Sequence, residues 1–396
     1  MTGLTVTRQV QVPDPLRIAR CSRLPEMGPR ILFFSGGTAL RGVARHLVQY
    51  THNSIHLITP FDSGGSSAVI RQAFRMLSVG DLRNRIMALA DQTVLGNPDI
   101  YELFAHRLPL DQSSEELHDL LLRMAAGRHQ LLARIPNPMR RIIRNHLYYF
   151  IEKMPRDFDL RGASIGNLVL TGGYLNNRWH IEPVLFMFSR LINARGTVKP
   201  TTGLNYHLAA RLKNGEILVG QHRITNKTDP IRSPIAELFL TSSLESRTPV
   251  AVAVGQKVRE LIETADLICY PMGSFYTSVM ANLLLEGVGA AIAANTCPKV
   301  FIPNPVPDSE QLGLSFYDMV LTLLKTAEKS AGKPVAPTEL CRYVIIDSEH
   351  GQYNKPLHLR KLRDLGIEIL DLPLVTGESH PYYDDRRIID VLLSLT

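Results

Sequence analysis

The sequence predicts an α/β fold: a Rossmann-like, mostly parallel sheet with helices on both faces, plus a β-hairpin and a helical insert. Short apolar runs alternate with longer stretches of helical period, the pattern of strands joined by crossover helices. The runs read as strands buried on both faces, as in a parallel sheet covered by helices. Several end in turns that carry Gly, Asp or Asn, and right-handed crossovers would gather those turns on one rim of the sheet.

The elements follow in order. Residues 5–30 form a basic leader with Pro13, Pro15 and Pro25, and the alternation at 6–12 (VTRQVQV) reads as an edge strand or a flexible arm. From residue 31 onward the chain reads as a single α/β domain. The run 31–34 (ILFF) is a strand that ends in Ser35-Gly36-Gly37-Thr38, with a helical pattern over 39–50. A second strand, 55–59, ends in Asp62-Ser63-Gly64-Gly65-Ser66-Ser67. Residues 97–155 have no strong strand and show helical spacing at 101–107, 114–126 and 139–153, which makes them the helical insert. A further helix opens at 164–170, another covers 182–193, and 197–200 is a short extended piece. Asn214-Gly215 between the runs 208–212 and 217–220 is a type I′ hairpin signal. Residues 258–264 are helical, and 267–270 (LICY) is a buried strand. It ends in Pro271-Met272-Gly273-Ser274, after which Thr277 or Ser278 starts a helix. The strand 300–302 ends at Asn304. Residues 316–329 are a helix and 330–337 a loop or subdomain boundary. A C-terminal α/β segment, 338–396, holds strands 343–347 and 367–370 and helices 357–365 and 384–395.

Composition sets limits. The 396 residues are 45% hydrophobic and 20% charged, as in a soluble globular protein. A formal net charge of +7 suits anionic ligands but does not itself indicate nucleic acid. No apolar run reaches membrane-spanning length, and residues 1–20 lack a signal-peptide core, so the expectation is a cytoplasmic protein without a membrane partner. The four cysteines, Cys21, Cys269, Cys297 and Cys341, are scattered without metal-ligand or disulfide spacing. Arg140, Arg141, Arg144 and Lys153 lie on the polar face of the 139–153 helix. They suit an acidic partner or a membrane surface, or simply form a solvated face. Tyr148, Tyr149 and Phe150 on the same helix suit the core or a dimer interface.

The candidate chemistry lies at the strand ends. Gly36, Gly37 and Thr38 join a strand to a helix N-terminus, where free amides and the helix dipole favour an anion. Asp62 is the metal candidate and, with Arg71, the catalytic one. Magnesium takes one or two carboxylates together with phosphate oxygens and water. Ser66 and Ser67 follow in the same turn. Asp81 is an alternative metal ligand or a helix cap. Arg71 and Arg83 either neutralise a diphosphate or make ion pairs. Asn167, in an apolar setting, either orients a ligand or ties two loops, and Asn282 and Asn304 share that ambiguity. Gly273, Ser274, Tyr276, Thr277 and Ser278 form a second phosphate cradle or an ordinary helix cap. No nucleophile triad is evident, and the spacing of His180, His207, His222 and His350 assigns them no role.

Several of these segments carry a resemblance. SGGTALRG at 35–42, FDSGGSSAVIRQAF at 61–74 and GDLRNRIMALA at 80–90 are similar to the phospholactate transferase (CofD) family and its nucleotide-sugar-binding YvcK-type relatives. ASIGNLVL at 163–170, GTVKPTT at 196–202, NGEILVGQH at 214–222 and ADLICYPMGSFYTSVMAN at 265–282 continue the match in order. The chain departs from the pattern at Ser35, Ser63, Ala39 and Met272 and lacks a Gly-Glu-Thr element at 305–312, so it resembles a divergent subgroup. The resemblance implies a nucleoside diphosphate-linked small molecule as ligand, Mg²⁺ at Asp62 and a homodimer. It also implies transfer of a 2-phospholactate-type group to an acceptor hydroxyl with release of nucleoside monophosphate; the alternative is a regulatory nucleotide-sugar-binding protein. A nicotinamide-dependent Rossmann enzyme is disfavoured by the missing Gly-x-Gly-x-x-Gly turn.

Overall fold

The computed structural model describes residues 9–93, 96–226 and 228–396. Its strands are β1 (Ile31–Ser35), β2 (Ile55–Ile58), β3 (Thr197–Pro200), β4 (His207–Leu212), β5 (Ile217–Val219), β6 (Ile235–Thr241), β7 (Leu267–Tyr270), β8 (Lys299–Phe301), β9 (Tyr343–Ile346) and β10 (Glu368–Asp371). Seven of them form one sheet in the order β10-β9-β8-β7-β1-β2-β3, and every pairing in it is parallel.

Each residue of β1 is buried, because successive side chains enter different cores. Leu32 and Phe34 pack with Ile268, Tyr270, Phe301 and helix Phe316–Ala331. Ile31 and Phe33 pack on the opposite face with Cys269, Val300 and the C-terminal helix Asp385–Ser394. A run apolar at every position is therefore what this location requires.

The direction of sheet growth reverses once. From β1 the chain builds outward through β2 to the edge strand β3, then returns to place β7 on the other side of β1. The gap between β1 and β7 is thus the switch point, where parallel α/β sheets open a crevice at their C-terminal edge. The extended piece at 197–200 proves to be the edge strand itself.

The whole helical insert lies in the crossover between the neighbouring strands β2 and β3. It is longer than the sequence indicated, and helices Pro98–Ala105, Ser114–Ala125, Met139–Lys153, Ile165–Asn176 and Ile181–Leu191 share one core. Phe104 and Phe188 stack there with centroids 4.1 Å apart. Phe150 of the aromatic trio is core, packed against Phe74 and Phe158, while Tyr148 is exposed. Gly172 and Gly173 let helix Ile165–Asn176 approach helix Met139–Lys153, since a Cβ on either would overlap His146.

Three expectations are corrected. The hairpin β4–β5 exists, but it joins β6 in a separate antiparallel sheet ordered β5-β4-β6. The sequence reading held no strand at β6, whose Ala, Glu and Leu content suits a helix as well. The turn is not type I′. Gly215 donates to Leu212 O, and Gly215 at φ 89° has the positive φ, whereas Asn214 does not. This is a type I turn followed by a left-handed glycine. The N-terminal reading also changes. Residues 6–8 lie outside the described residues, 9–14 form no strand, and Pro15–Arg23 is a helix. Asp14 N donates to Ser394 Oγ at 2.7 Å and Arg17 Nε to Thr396 Oγ1 at 3.1 Å, which ties this helix to the end of the chain. No helix among the described residues is long and apolar enough to cross a membrane.

Phe188 is fully buried and stacked, so Phe188→Ala should remove about 3–5 kcal/mol of stability. Denaturant unfolding with an unchanged slope would register this as a lower midpoint.

Candidate functional site

Four strand ends meet the sheet's C-terminal edge. The turn after β1 holds Gly36 and Gly37, the loop after β2 holds Asp62, the turn after β7 holds Gly273, and Asn304 follows β8. Gly36 sits against Ser278, with a notional Cβ only 2.5 Å from Ser278 Oγ, so the β1 and β7 turns touch. Gly273 and Asn304 are joined by two hydrogen bonds of 2.8 Å, from Gly273 N to Asn304 Oδ1 and from Asn304 Nδ2 to Gly273 O. Asn304 is therefore a clamp between loops, its amide bonded to the Gly273 backbone and to the Asp308 side chain. Asn282 is likewise structural, donating to Ser35 O and Ser278 O and accepting from Thr201.

Three helix N-termini converge beside Asp62. Helix Gly65–Phe74 opens with Ser66 and Ser67, helix Gly80–Ala88 has Asp81 in its first turn, and helix Ile165–Asn176 has Asn167 in its own. A notional Cβ on Gly80 would lie 2.7 Å from Ser67 Oγ and 3.9 Å from Asp62 Oδ2, so glycine is needed for this approach. A Cβ on Gly37 would overlap the Asp81 carboxylate. Asn167 Nδ2 reaches Ser66 Oγ at 3.4 Å. Asn167 is only 1% exposed, yet its Oδ1 has no partner among the described residues. A buried amide oxygen left in this state points to a donor from outside the chain. Thr38 lies at the mouth of the first turn and accepts Arg41 N through its carbonyl.

The electrostatics concentrate on a carboxylate pair. Burial, and then the negative charge of Asp62, push the Asp81 carboxyl up to about 7 against the pull of Arg85, Arg83 and the Gly37 amide. Asp62 Oδ1 also accepts Gly64 N at 3.0 Å, which fixes the loop. Two carboxylates facing one another beside three positive helix ends suit a cation bridged to phosphate oxygens. Among the described residues no three His, Cys, Asp or Glu side chains gather into a metal cluster, so phosphate and water would have to complete the shell.

Three predicted site elements take other roles. Arg71 is 4% exposed, and its guanidinium faces six acceptors. These are Met76 O, Phe61 O, Asp62 O, Asn205 Oδ1, Tyr206 O and His207 Nδ1, at 2.5–3.3 Å. With five N–H groups it has no donor left for a diphosphate. Burial lowers its pKa to about 10, so it stays charged at neutral pH. Arg83 is similarly buried and engages Ser164 Oγ and Asn84 Oδ1, although its Nε has no partner among the described residues. The second cradle is filled by the chain itself. Glu310 Oε2 accepts Tyr276 N at 2.9 Å and Thr277 N at 3.0 Å, its Oε1 accepts Thr277 Oγ1 at 2.5 Å, and Asp308 accepts Phe275 N. Nor does Thr277 or Ser278 cap a helix. Phe275–Val279 is a single π-type turn that opens at Ser274 and runs into a 3₁₀ turn, Met280–Leu284.

Sequence reasoning missed Arg85 and His222. Arg85 is fully buried and donates to Leu40 O at 2.8 Å, Gly36 O at 3.1 Å and Gly37 O at 3.3 Å. It holds the first glycine turn by its carbonyls, while the Gly37 amide bonds the Asp81 carboxyl group. An arginine one residue before the apolar run of its helix was the available signal. His222 meets Ser63 through two bonds, which no spacing in the sequence announces. A cleft of about 900 Å³ between β6 and helix Phe316–Ala331 includes Tyr276 but none of Gly36, Asp62, Asp81 or Asn167. The cleft and the converged helix ends are thus separate features of the surface.

Arg71→Lys cannot serve the same acceptors and should cost about 2 kcal/mol or more, read from the denaturation midpoint. Glu310 provides a pH test. Burial and Asp308 raise its carboxyl from 4.5 to about 7. Its contribution to stability is therefore complete below about pH 4.5 and is lost as pH rises through about 7. Glu310→Gln should flatten the stability profile across that window, measured by denaturation at several pH values.

Comparison with known proteins agrees with this architecture. Residues 31–374 match the family described as 2-phospho-L-lactate transferase CofD. The putative gluconeogenesis factor of Thermoanaerobacterium thermosulfurigenes is 25% identical over 93% of this chain and 97% of its own length. The gluconeogenesis factor of Listeria monocytogenes is 27% identical over 93% and 96%. That of Bacillus subtilis is 23% identical over 93% and 98%. A crystal structure of a UPF0052 family member from Bacillus halodurans shares the fold, with a TM-score of 0.66 and 21% identity over 92% of this chain and 99% of that one. With the parallel sheet, its switch point and the match across residues 31–374 in agreement, the chain belongs to the CofD family.

Proposed function

We propose that the protein binds a nucleoside diphosphate-linked small molecule together with Mg²⁺ at the converged helix ends, and that it acts as a regulatory binding protein. The observation that carries this reading is the pairing of Asp62 and Asp81 beside three helix N-termini, with the orphaned Asn167 Oδ1 next to them. Asp62 and Asp81 would hold the cation, which neutralises diphosphate charge when bound. The Gly36 and Thr38 amides and the serines of helix Gly65–Phe74 would face the phosphate oxygens, with the Gly37 amide kept on Asp81. Asn167 would accept a hydroxyl or N–H of the ligand.

Two observations favour regulation over catalysis. The arginine best placed by sequence to stabilise a leaving group, Arg71, has every donor engaged by protein acceptors. Moreover, the relatives that match over more than nine-tenths of the chain carry the name gluconeogenesis factor.

The carboxylate pair itself favours a second reading, phosphoryl-group transfer. An acceptor oxygen would form a bond to the phosphorus of the transferred phospho-acid while its bond to the departing nucleoside monophosphate breaks. The acceptor proton would leave with solvent. Such chemistry rests on positioning and charge stabilisation and needs no covalent enzyme intermediate.

Thermal shifts against GDP, UDP and UDP-sugars, each with and without Mg²⁺, test the binding reading. A ligand specific for the folded chain raises the melting temperature as its concentration exceeds its dissociation constant. The expected result is a Mg²⁺-dependent rise that Asp62→Ala abolishes without lowering the ligand-free melting temperature. No shift with any nucleotide would refute it. Release of nucleoside monophosphate in the presence of acceptor alcohols would move the assignment from regulator to transferase.

A further inference from the structure

We propose that His222 is a ligand-binding residue of this site: its Nε2–H, fixed in place by Ser63, donates to the diphosphate beside Asp62. The proposal rests on the nucleotide-binding reading above and adds a residue that neither sequence spacing nor family likeness indicated.

The geometry begins at Ser63, which directly follows Asp62 and is only 6% exposed. Its Oγ accepts the backbone N–H of His222 at 3.2 Å and lies 2.8 Å from His222 Nδ1. A serine hydroxyl has one proton to give, and Nδ1 is the acceptor within its reach here. With Nδ1 accepting from the Ser63 hydroxyl, the tautomer this proposal adopts, the proton of the neutral ring sits on Nε2. In the imidazolium form Nε2 is again a donor. His222 is exposed, and Nε2 has no hydrogen-bond partner among the described residues. The ring is thus held at one nitrogen and available at the other.

Its neighbourhood supplies the rest. A notional Cβ on Gly64 would lie 3.5 Å from Asp62 Oδ1 and 3.9 Å from His222 Cβ, so the two residues flank this small glycine, while the imidazole itself lies against Gly220. Two other candidate donor groups near this side are taken. Arg71 is engaged by loop acceptors, and the amides of the β7 turn are capped by Asp308 and Glu310. A diphosphate bound at Asp62 needs donors for the oxygens that the cation does not reach, and His222 is a side-chain donor still unpaired there. The same exposed histidine could merely tie two loops, but that role is complete with Nδ1 and the backbone amide.

The test is calorimetric titration with UDP and GDP in Mg²⁺, with uridine and guanosine as phosphate-free controls. Wild type, His222→Ala, His222→Gln and Ser63→Ala are compared, with ligand-free melting temperatures as the folding check. A hydrogen bond to a charged group predicts diphosphate affinity lower by about tenfold or more in His222→Ala. His222→Gln, which keeps a donor, should recover part of it, and Ser63→Ala should show a smaller loss because the ring is freed rather than removed. The melting temperatures of the His222 variants should stay near that of wild type, and Ser63→Ala should lower it modestly because a buried hydroxyl and its two bonds are lost. Unchanged diphosphate affinity in His222→Ala overturns the assignment while leaving the nucleotide site intact. So does an equal loss for the phosphate-free nucleosides, which would mean His222 meets the nucleoside. Failure of the wild type itself to bind any nucleotide overturns the parent reading and this one together.

Discussion

Parallel neighbours cannot be joined by a tight turn, so each strand of the large sheet must hand the chain to a long connection on its C-terminal side. With all seven strands running the same way, the loops after β1, β2, β7 and β8 leave from one edge. The order β10-β9-β8-β7-β1-β2-β3 then separates the connections at β1 and β7 and opens the crevice. Everything proposed for function depends on that constraint. Asp62, Asp81, Ser66 and Asn167 come from segments as much as a hundred residues apart, and they meet because three helices begin at the same rim.

The rim is held by buried charge. Arg71 and Arg85 each place a guanidinium where water cannot follow, and backbone carbonyls replace the lost hydration. Removing either partner would strand buried polar groups, so these contacts act as rigid ties. Their effect on the ligand side is indirect. With the carbonyls of Gly36 and Gly37 turned toward Arg85 and the Gly37 amide on Asp81, one helix fixes this turn from both sides of its backbone. Glu310 performs the corresponding task at the β7 turn by supplying the anion itself. Two glycine turns that look alike as sequence are therefore held differently: one by Arg85 and Asp81 from a single helix, the other by Asp308 and Glu310.

The sheet was readable because buried parallel strands impose a strong local demand. β1 and β7 need apolar residues at every position, and ILFF and LICY satisfy it without ambiguity. The helices of the insert declared themselves by period, and Ser113 with Glu116 forms the capping box that starts one of them. β6 was not readable, because its residues suit a helix and its pairing with β4 is decided more than twenty residues away. Of the proposed site, Asp62 was legible as a carboxylate after a strand, and Asp81 and Asn167 as polar residues near helix starts.

What the sequence by itself determined was the fold class, the positions of the four rim turns and the residue types that crowd them. Those features depend on local period and local turn chemistry. Tertiary structure alone decided which donors remain available. Arg71 is a plausible phosphate ligand until Asn205, Tyr206 and His207 arrive from another segment to engage it. The β7 turn is a plausible cradle until Asp308 and Glu310 fold back over it. His222 is one of thirteen histidines until Ser63 binds its ring. Hydrogen bonds saturate, so the partner that reaches a group first in space settles its role, and no spacing along the chain records that outcome.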